Sequence, residues 1–204
     1  TPQVEVTNIY LNENELRAMY SLELSEIKHL EQARDIFLIG CYTAQRFSDY
    51  SRIRKDFVNN GFIELIQQKT GATVVIPIRP ELKNLLSKYD YNVPKIYEQK
   101  LNKYIKEVGQ LAEINEPVTI EAIRGGMKVQ TTRPKYELIK THTARRSGCT
   151  NMFEAGLSPI IIMKISGHKT EKDFLKYIKI TEKQAAESAA KHPYFTGNPL
   201  KIAK

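Results

Sequence analysis

The chain contains no tryptophan, only two cysteines, and no apolar run approaching the roughly 18 residues that a membrane-spanning helix needs. Cys41 and Cys149 cannot staple a secreted scaffold of 204 residues, and they lack the close pairing of zinc ribbons or redox motifs, so both are expected to be small buried hydrophobes. The start, Thr1-Pro2-Gln3-Val4-Glu5, has neither a basic nor an apolar leader segment, and a soluble cytoplasmic protein is expected. Four histidines (His29, His142, His168 and His192) are scattered without ligand spacing or an accompanying carboxylate cluster, so no metal and no other cofactor is expected. Repeats, low-complexity tracts and Gly/Ser linkers are also missing, which leaves a single domain, and 41% hydrophobic residues suffice for a sizeable core.

What is present is an uneven charge. The formal net charge is +8, yet residues 1–127 carry 16 basic against 17 acidic side chains, while Lys128–Lys204 carry 15 against 6. One third of the chain therefore holds the whole excess. Such a concentration suits a polyanionic partner, because neutralised phosphates release counterions, although a solvated lysine-rich face would look the same.

The hydrophobic spacing predicts a mainly α protein with a small antiparallel β-sheet (α+β). Asn12 and Glu15 form a capping-box pattern before a helix to Leu24, and a deeply buried helix follows over Leu30–Thr43. The stretches Phe62–Ile66 and Thr73–Ile78 are β-branched or alternating and enclose Lys69-Thr70-Gly71-Ala72, a hairpin with Lys69 near its tip. Further helices are predicted over Pro80–Tyr89 and Tyr97–Ile114. Val118–Gln130, broken by Gly125-Gly126, reads either as a short hairpin or as an irregular excursion. Helices then follow over Thr143–Ala155, Pro159–Ser166, Glu171–Ile180 and Glu182–Lys191, the last with Thr181 and Gln184 as a capping box.

Arg46, His142, Arg145, His168 and Tyr177 sit where the hydrophobic pattern does not ask for them. Taken singly, each has a bland reading: helix caps for the arginines and histidines, a packing aromatic for Tyr177. Their order and spacing say more. His142-Thr143-Ala144-Arg145 places His and Arg three apart, Gly167-His168 follows, and Tyr177 comes nine residues later. Upstream, Thr43-Ala44-Gln45-Arg46 ends the buried helix and Lys69 lies in the hairpin turn.

This set resembles the catalytic domain of the tyrosine recombinases, or phage-integrase-type site-specific recombinases, over about Leu11–Phe195. The segments around Arg46 and Arg145 look most like integrases of Bacteroides-type mobile elements. The resemblance implies a DNA breaking and rejoining enzyme that needs neither metal nor ATP, because a 3′-phosphotyrosyl link retains the ester energy. Tyr177 matches the family nucleophile. Arg46 and Arg145 match the arginines that grip non-bridging oxygens, a task suited to the guanidinium fork. Lys69 matches the hairpin general acid on the departing 5′ oxygen, His142 the residue that assists proton transfer, and His168 the second phosphate-binding position. Double-stranded DNA is the implied partner, with a homotetramer on paired sites for a full-length protein and a monomer for this piece.

Thr-Ala-Gln-Arg replaces the frequent Thr-Gly-Leu-Arg at the first arginine, and Ser166 replaces a frequent leucine. Residues 1–11 read as an arm or linker remnant, 12–195 as the catalytic domain and 196–204 as a tail. Full-length relatives carry an N-terminal core-binding domain, so a fragment with weak DNA binding is expected here. The alternatives are a non-catalytic helix-turn-helix regulator built on Thr143–Lys169, a type IB topoisomerase and, least favoured, a metal-dependent nuclease. The alanine-rich final helix fits packing either on its own domain or on a neighbouring protomer.

Overall fold

A computed structural model describes residues 9–124, 127–178, 182–190 and 192–197. The centre is α2 (Lys28–Thr43), of which eleven residues are buried, as its wide apolar stripe demands. Packed around it are α1 (Glu13–Tyr20), the single turn α3 (Phe47–Tyr50), α4 (Pro80–Lys88), α5 (Glu98–Leu111) and α6 (Thr141–Glu154). The α2–α6 crossing is very close. A Cβ on Gly148 of α6 would stand 2.3 Å from the Cys41 carbonyl oxygen of α2. Both cysteines are buried free thiols.

The capping box is formed, with Glu15 N–H donating to Asn12 Oδ1 at 3.0 Å and Asn12 N–H donating to Glu15 Oε2 at 2.8 Å. Helix α1 nevertheless ends at Tyr20 rather than Leu24, because Arg34 captures the Leu22 carbonyl and the chain turns onto α2. Of the arm expected over residues 1–11, the described residues Ile9–Leu11 are docked. Leu11 is fully buried, its N–H donates to Ser147 Oγ (2.9 Å) and its carbonyl accepts from Asn151 Nδ2 (3.0 Å), both on α6.

Strands β1 (Val58–Asn59), β2 (Phe62–Ile66) and β3 (Thr73–Pro77) form an antiparallel meander, with Ile63 paired to Ile76 and Leu65 to Val74. Those four face the core while Phe62, Ile66 and Val75 face outward, the period-two burial that the sequence predicts. The turn from Gln67 to Ala72 closes with Gln67 N–H on the Ala72 carbonyl and Gly71 N–H on the Gln67 carbonyl, both 2.9 Å, with Gly71 at φ +65°. The uncertain stretch is a second hairpin, β4 (Pro117–Arg124) with β5 (Met127–Pro134); its Gly125-Gly126 tip lies outside the described residues.

Helices α7 (Pro159–Ser166), α8 (Glu171–Leu175), α9 (Glu182–Ala190) and α10 (Pro193–Thr196) follow among the described residues. Helix α8 is shorter than its predicted span to Ile180. Tyr177 N–H turns back onto the Phe174 carbonyl (2.8 Å) and the Tyr177 carbonyl accepts from Thr150 Oγ1 (2.9 Å), so the tyrosine follows the helix instead of lying on its face. Thr181, the predicted cap of α9, is outside the described residues, and the described side chains of α9 are mostly exposed. A small second core of Ala44, Cys149, Ile162 and Phe174, with Tyr177 packed against it, joins the ends of α2, α6, α7 and α8. No helix among the described residues is long and apolar enough to cross a membrane.

Candidate active site

The six residues singled out in the sequence come from five places in the chain and converge beside this second core. Arg46 occupies the N-cap position of α3 and Lys69 the β2–β3 turn. His142 and Arg145 lie in the first turns of α6, His168 just beyond α7, and Tyr177 just beyond α8. The Tyr177 hydroxyl is 2.9 Å from His142 Nε2. Its ring meets the His168 ring at 4.6 Å in an edge-on contact and lies 5.5 Å from the Arg145 guanidinium carbon.

Arg145 is fully buried, and its donors are already partly committed. Nη1 donates to the Ala44 carbonyl (3.0 Å) and to the Ser166 carbonyl (2.7 Å), buried acceptors that the C-terminal ends of α2 and α7 leave without an intrahelical donor. Nη2 lies 3.1 Å from His168 Nε2, while Nε is buried with no hydrogen-bond partner. Nη1 is thus committed to backbone and Nη2 meets His168, which leaves Nε as the donor without a partner among the described residues.

A directional chain holds His168. Ser166 Oγ donates to the Ile162 carbonyl (2.6 Å), which leaves Oγ to accept from His168 Nδ1 (2.7 Å) and favours the proton on Nδ1, although Arg145 Nη2 also lies 3.3 Å from that nitrogen. Nε2 is then free to accept from Arg145. Burial, followed by the charges of Arg145 and Arg46, pushes His168 down to about 3, so the ring is neutral at physiological pH. His142 also titrates below its ordinary value. Burial of its inner side is the main cause, although its outer edge meets solvent, and Arg146, Arg145, Arg46 and Lys69 add to it. A neutral His142 can accept the tyrosine proton at Nε2.

Lys69 is exposed and has no hydrogen-bond or ion-pair partner among the described residues. Its turn is nevertheless held at both shoulders. Gln68 N–H donates to the buried Asp49 Oδ1 (2.8 Å), and Thr70 Oγ1 donates to Gln67 Oε1 (2.7 Å). Gln67 is itself fully buried, with Nε2 donating to Gln45 Oε1 (2.6 Å) and to the Ser166 carbonyl (2.8 Å), while Oε1 also accepts from Arg46 Nη1 at 3.4 Å. Gln45 Nε2 in turn donates to the carbonyls of Thr43 (3.0 Å) and Ile165 (2.9 Å). This amide pair ties the Arg46 turn, the Lys69 turn and the end of α7 into one block.

Sequence reasoning passed over Gln45, Gln67, Asp49, Ser166 and Arg146, the last with its guanidinium carbon 6.0 Å from the Tyr177 ring. The available signal was position alone: each is a polar residue within three positions of a residue already singled out. The departure from Thr-Gly-Leu-Arg is accommodated directly. Ala44 adopts the left-handed conformation (φ 53°) that a glycine would take, and Gln45 supplies hydrogen bonds that a leucine could not.

The sequence pattern of the phage integrase family matches residues 9–184. No curated protein sequence matches the chain. Among solved structures, the XerA recombinase superposes with a TM-score of 0.65 at 15% identity, over 90% of this chain and 63% of its own. A lambda integrase (75–356) dimer bound to a COC′ core site gives 0.61 at 15% identity, over 99% and 65%. The catalytic domain of bacteriophage HP1 integrase gives 0.55 at 19% identity, over 96% and 98%. The chain thus spans less than two thirds of the length of the first two but nearly all of an isolated catalytic domain. Mostly helical with small antiparallel sheets, and carrying the family's sequence pattern over most of its length, the chain belongs to the phage integrase family.

Proposed function

We propose that this chain is the catalytic domain of a site-specific DNA recombinase, which breaks and rejoins strands through a 3′-phosphotyrosyl intermediate on Tyr177. The carrying observation is the Tyr177 hydroxyl 2.9 Å from the Nε2 of a neutral histidine, beside two guanidinium groups held by backbone carbonyls. A free phenol has pKa about 10, so forming phenolate at pH 7 costs roughly 4 kcal/mol. Cations arranged in advance lower that cost without reorganising when charge develops.

In this reading His142 Nε2 receives the phenol proton as the oxygen attacks phosphorus. Arg46 and the Nη2/Nε side of Arg145 hold the non-bridging oxygens. Lys69, free at its turn, protonates the departing 5′ oxygen. His168 has its Nδ1 proton committed to Ser166 Oγ, so it accepts from Arg145 until phosphate draws that guanidinium away. Nothing in the sequence of steps consumes ATP, since each bond broken is replaced by one of similar energy.

Double-stranded DNA is the substrate, and the protein works in the cytoplasm, where DNA is reached without crossing a membrane. Assembly as a tetramer on paired sites fits the exposed α9, which has a neighbour's surface to cover. The segments around Arg46 and Arg145 point to a mobile element of the Bacteroides type as its source. The helix-turn-helix reading loses support, because the outward face of α7, its would-be recognition helix, presents Ile160 and Ile161 (72% and 51% exposed), and Lys164 is the one exposed polar side chain on that helix. The test is to incubate wild type and Tyr177→Phe with a pool of nicked duplexes of randomised sequence and look for protein shifted by covalently bound DNA. The wild type should shift and Tyr177→Phe should not; a shift in both, or in neither, would overturn the reading.

A further inference from the structure

A cavity of about 240 Å³ is bordered by His142 of the catalytic cluster and by Arg146, and is walled by the β4–β5 hairpin, α5 and the start of α6. Four cations line it: Lys106 from α5, Arg133 from β5, Lys140 at the N-cap of α6, and Arg146 from α6. Glu137 is the lone carboxylate of the lining and is partly engaged, at 3.7 Å from Arg133. The ammonium groups of Lys106 and Lys140 have no hydrogen-bond or ion-pair partner among the described residues; Lys106 is partly buried and Lys140 is exposed. Four cations against one carboxylate leave the lining net positive, which favours an anion that arrives from outside.

We propose that this cavity binds a DNA backbone phosphate next to the scissile one on the same strand. The inference rests on the recombinase reading and extends its phosphate contacts to residues outside the six-residue cluster. His142 and Arg146 belong to both sites: they face Tyr177 on one side and line the cavity on the other. A strand of B-DNA carries a phosphate about every 3.4 Å of helix rise, so the scissile group always brings neighbours with it. The catalytic cluster holds one phosphodiester, and the cavity offers a net positive lining where the next can sit. It also gives the β4–β5 hairpin a task that its marginal two-stranded packing does not explain, namely carrying Arg133 to the DNA side of the domain.

The experiment compares the Lys106→Gln/Lys140→Gln double variant with Lys28→Gln/Lys83→Gln, which removes the same charge from helices α2 and α4. Affinity for a non-specific duplex is measured across salt concentrations, with circular dichroism to verify folding. Each lost phosphate contact should reduce the slope of log affinity against log salt by about 0.9, so the cavity pair, which serves one phosphate, should lose about 0.9 and the control pair much less. Equal slopes for wild type and the cavity pair, or equal reductions in the two pairs, would overturn the proposal. So would stabilisation of wild type alone by pyrophosphate with the DNA slope unmoved, the mark of a small-anion site. If the slope falls as expected but wild type forms no Tyr177 adduct, the backbone site stands and the recombinase reading fails.

Discussion

The carboxamide of Gln67 occupies the space where Gly167 would carry a side chain: a Cβ there would lie 2.4 Å from Gln67 Oε1 and 2.6 Å from Nε2. Gly167 also caps α7 at φ +71°, a conformation that disfavours any side chain. The glycine of the Gly167-His168 pair is therefore set by two independent demands. Both act on the carbonyl of Ser166, which Gln67 and Arg145 share.

Gly167→Ala should destabilise the domain by about 1–3 kcal/mol, through left-handed strain and displacement of Gln67. The urea midpoint measures it. In a Gln67→Ala background the same substitution should cost less, and a double-mutant cycle gives the coupling between the two positions. Additive losses would mean that the contact carries no energy.

Gly148→Ala should force α2 and α6 apart, because the new methyl meets backbone, the Cys41 carbonyl oxygen, at 2.3 Å and the Ala44 Cβ at 2.8 Å. Over-packing of this kind costs about 1–3 kcal/mol. Since Ala44 also holds Arg145 through its carbonyl, single-turnover adduct formation should fall more than the loss of stability alone would cause.

Arg145→Lys preserves charge but not geometry. One ammonium cannot donate to Ala44, Ser166 and phosphate oxygens at the distances and angles that a planar fork reaches. Adduct formation at saturating enzyme should fall by about 100-fold or more, the usual loss when a charge-stabilising donor is removed. Full activity in Arg145→Lys would remove the assigned phosphate grip.

His168 makes stability depend on pH in a definite direction. Its folded pKa is pushed down to about 3 from 6.5, so between those values the unfolded chain binds more protons and stability falls as pH falls. At 1.36 kcal/mol per unit, the full effect at pH 5 would be about 2 kcal/mol; solvent screening of this partly exposed ring reduces it to about 1 kcal/mol. His168→Gln should accordingly lose less stability than wild type between pH 7 and 5, read from urea midpoints at both values.

Much of the fold can be read from the chain because it depends on local patterns. The wide stripe of α2, the capping box at Asn12, Pro159 and Gly167 bounding α7, and the alternation of β2 and β3 all appear in the structure near their predicted limits. The differences arise where distant groups intervene. Arg34 stops α1 early, Thr150 draws Tyr177 off the end of α8, and Ser147 and Asn151 pin residues 9–11 to α6. No local periodicity encodes these hydrogen bonds, which join residues from 12 to 140 positions apart.

The same division runs through the site. Residue type and order determine which groups are available: a phenol, two guanidinium groups, a turn-borne lysine and two imidazoles, with spacings peculiar enough to suggest a family. Tertiary structure alone decides which donors remain open on Arg145, which nitrogen of His168 holds its proton, and that Gln45 and Gln67 join three separate turns into one block. The reason is physical. Composition and periodicity report free energies of burial, which each residue carries with it, whereas direction and commitment of hydrogen bonds belong to pairs of groups that meet only once the chain has folded.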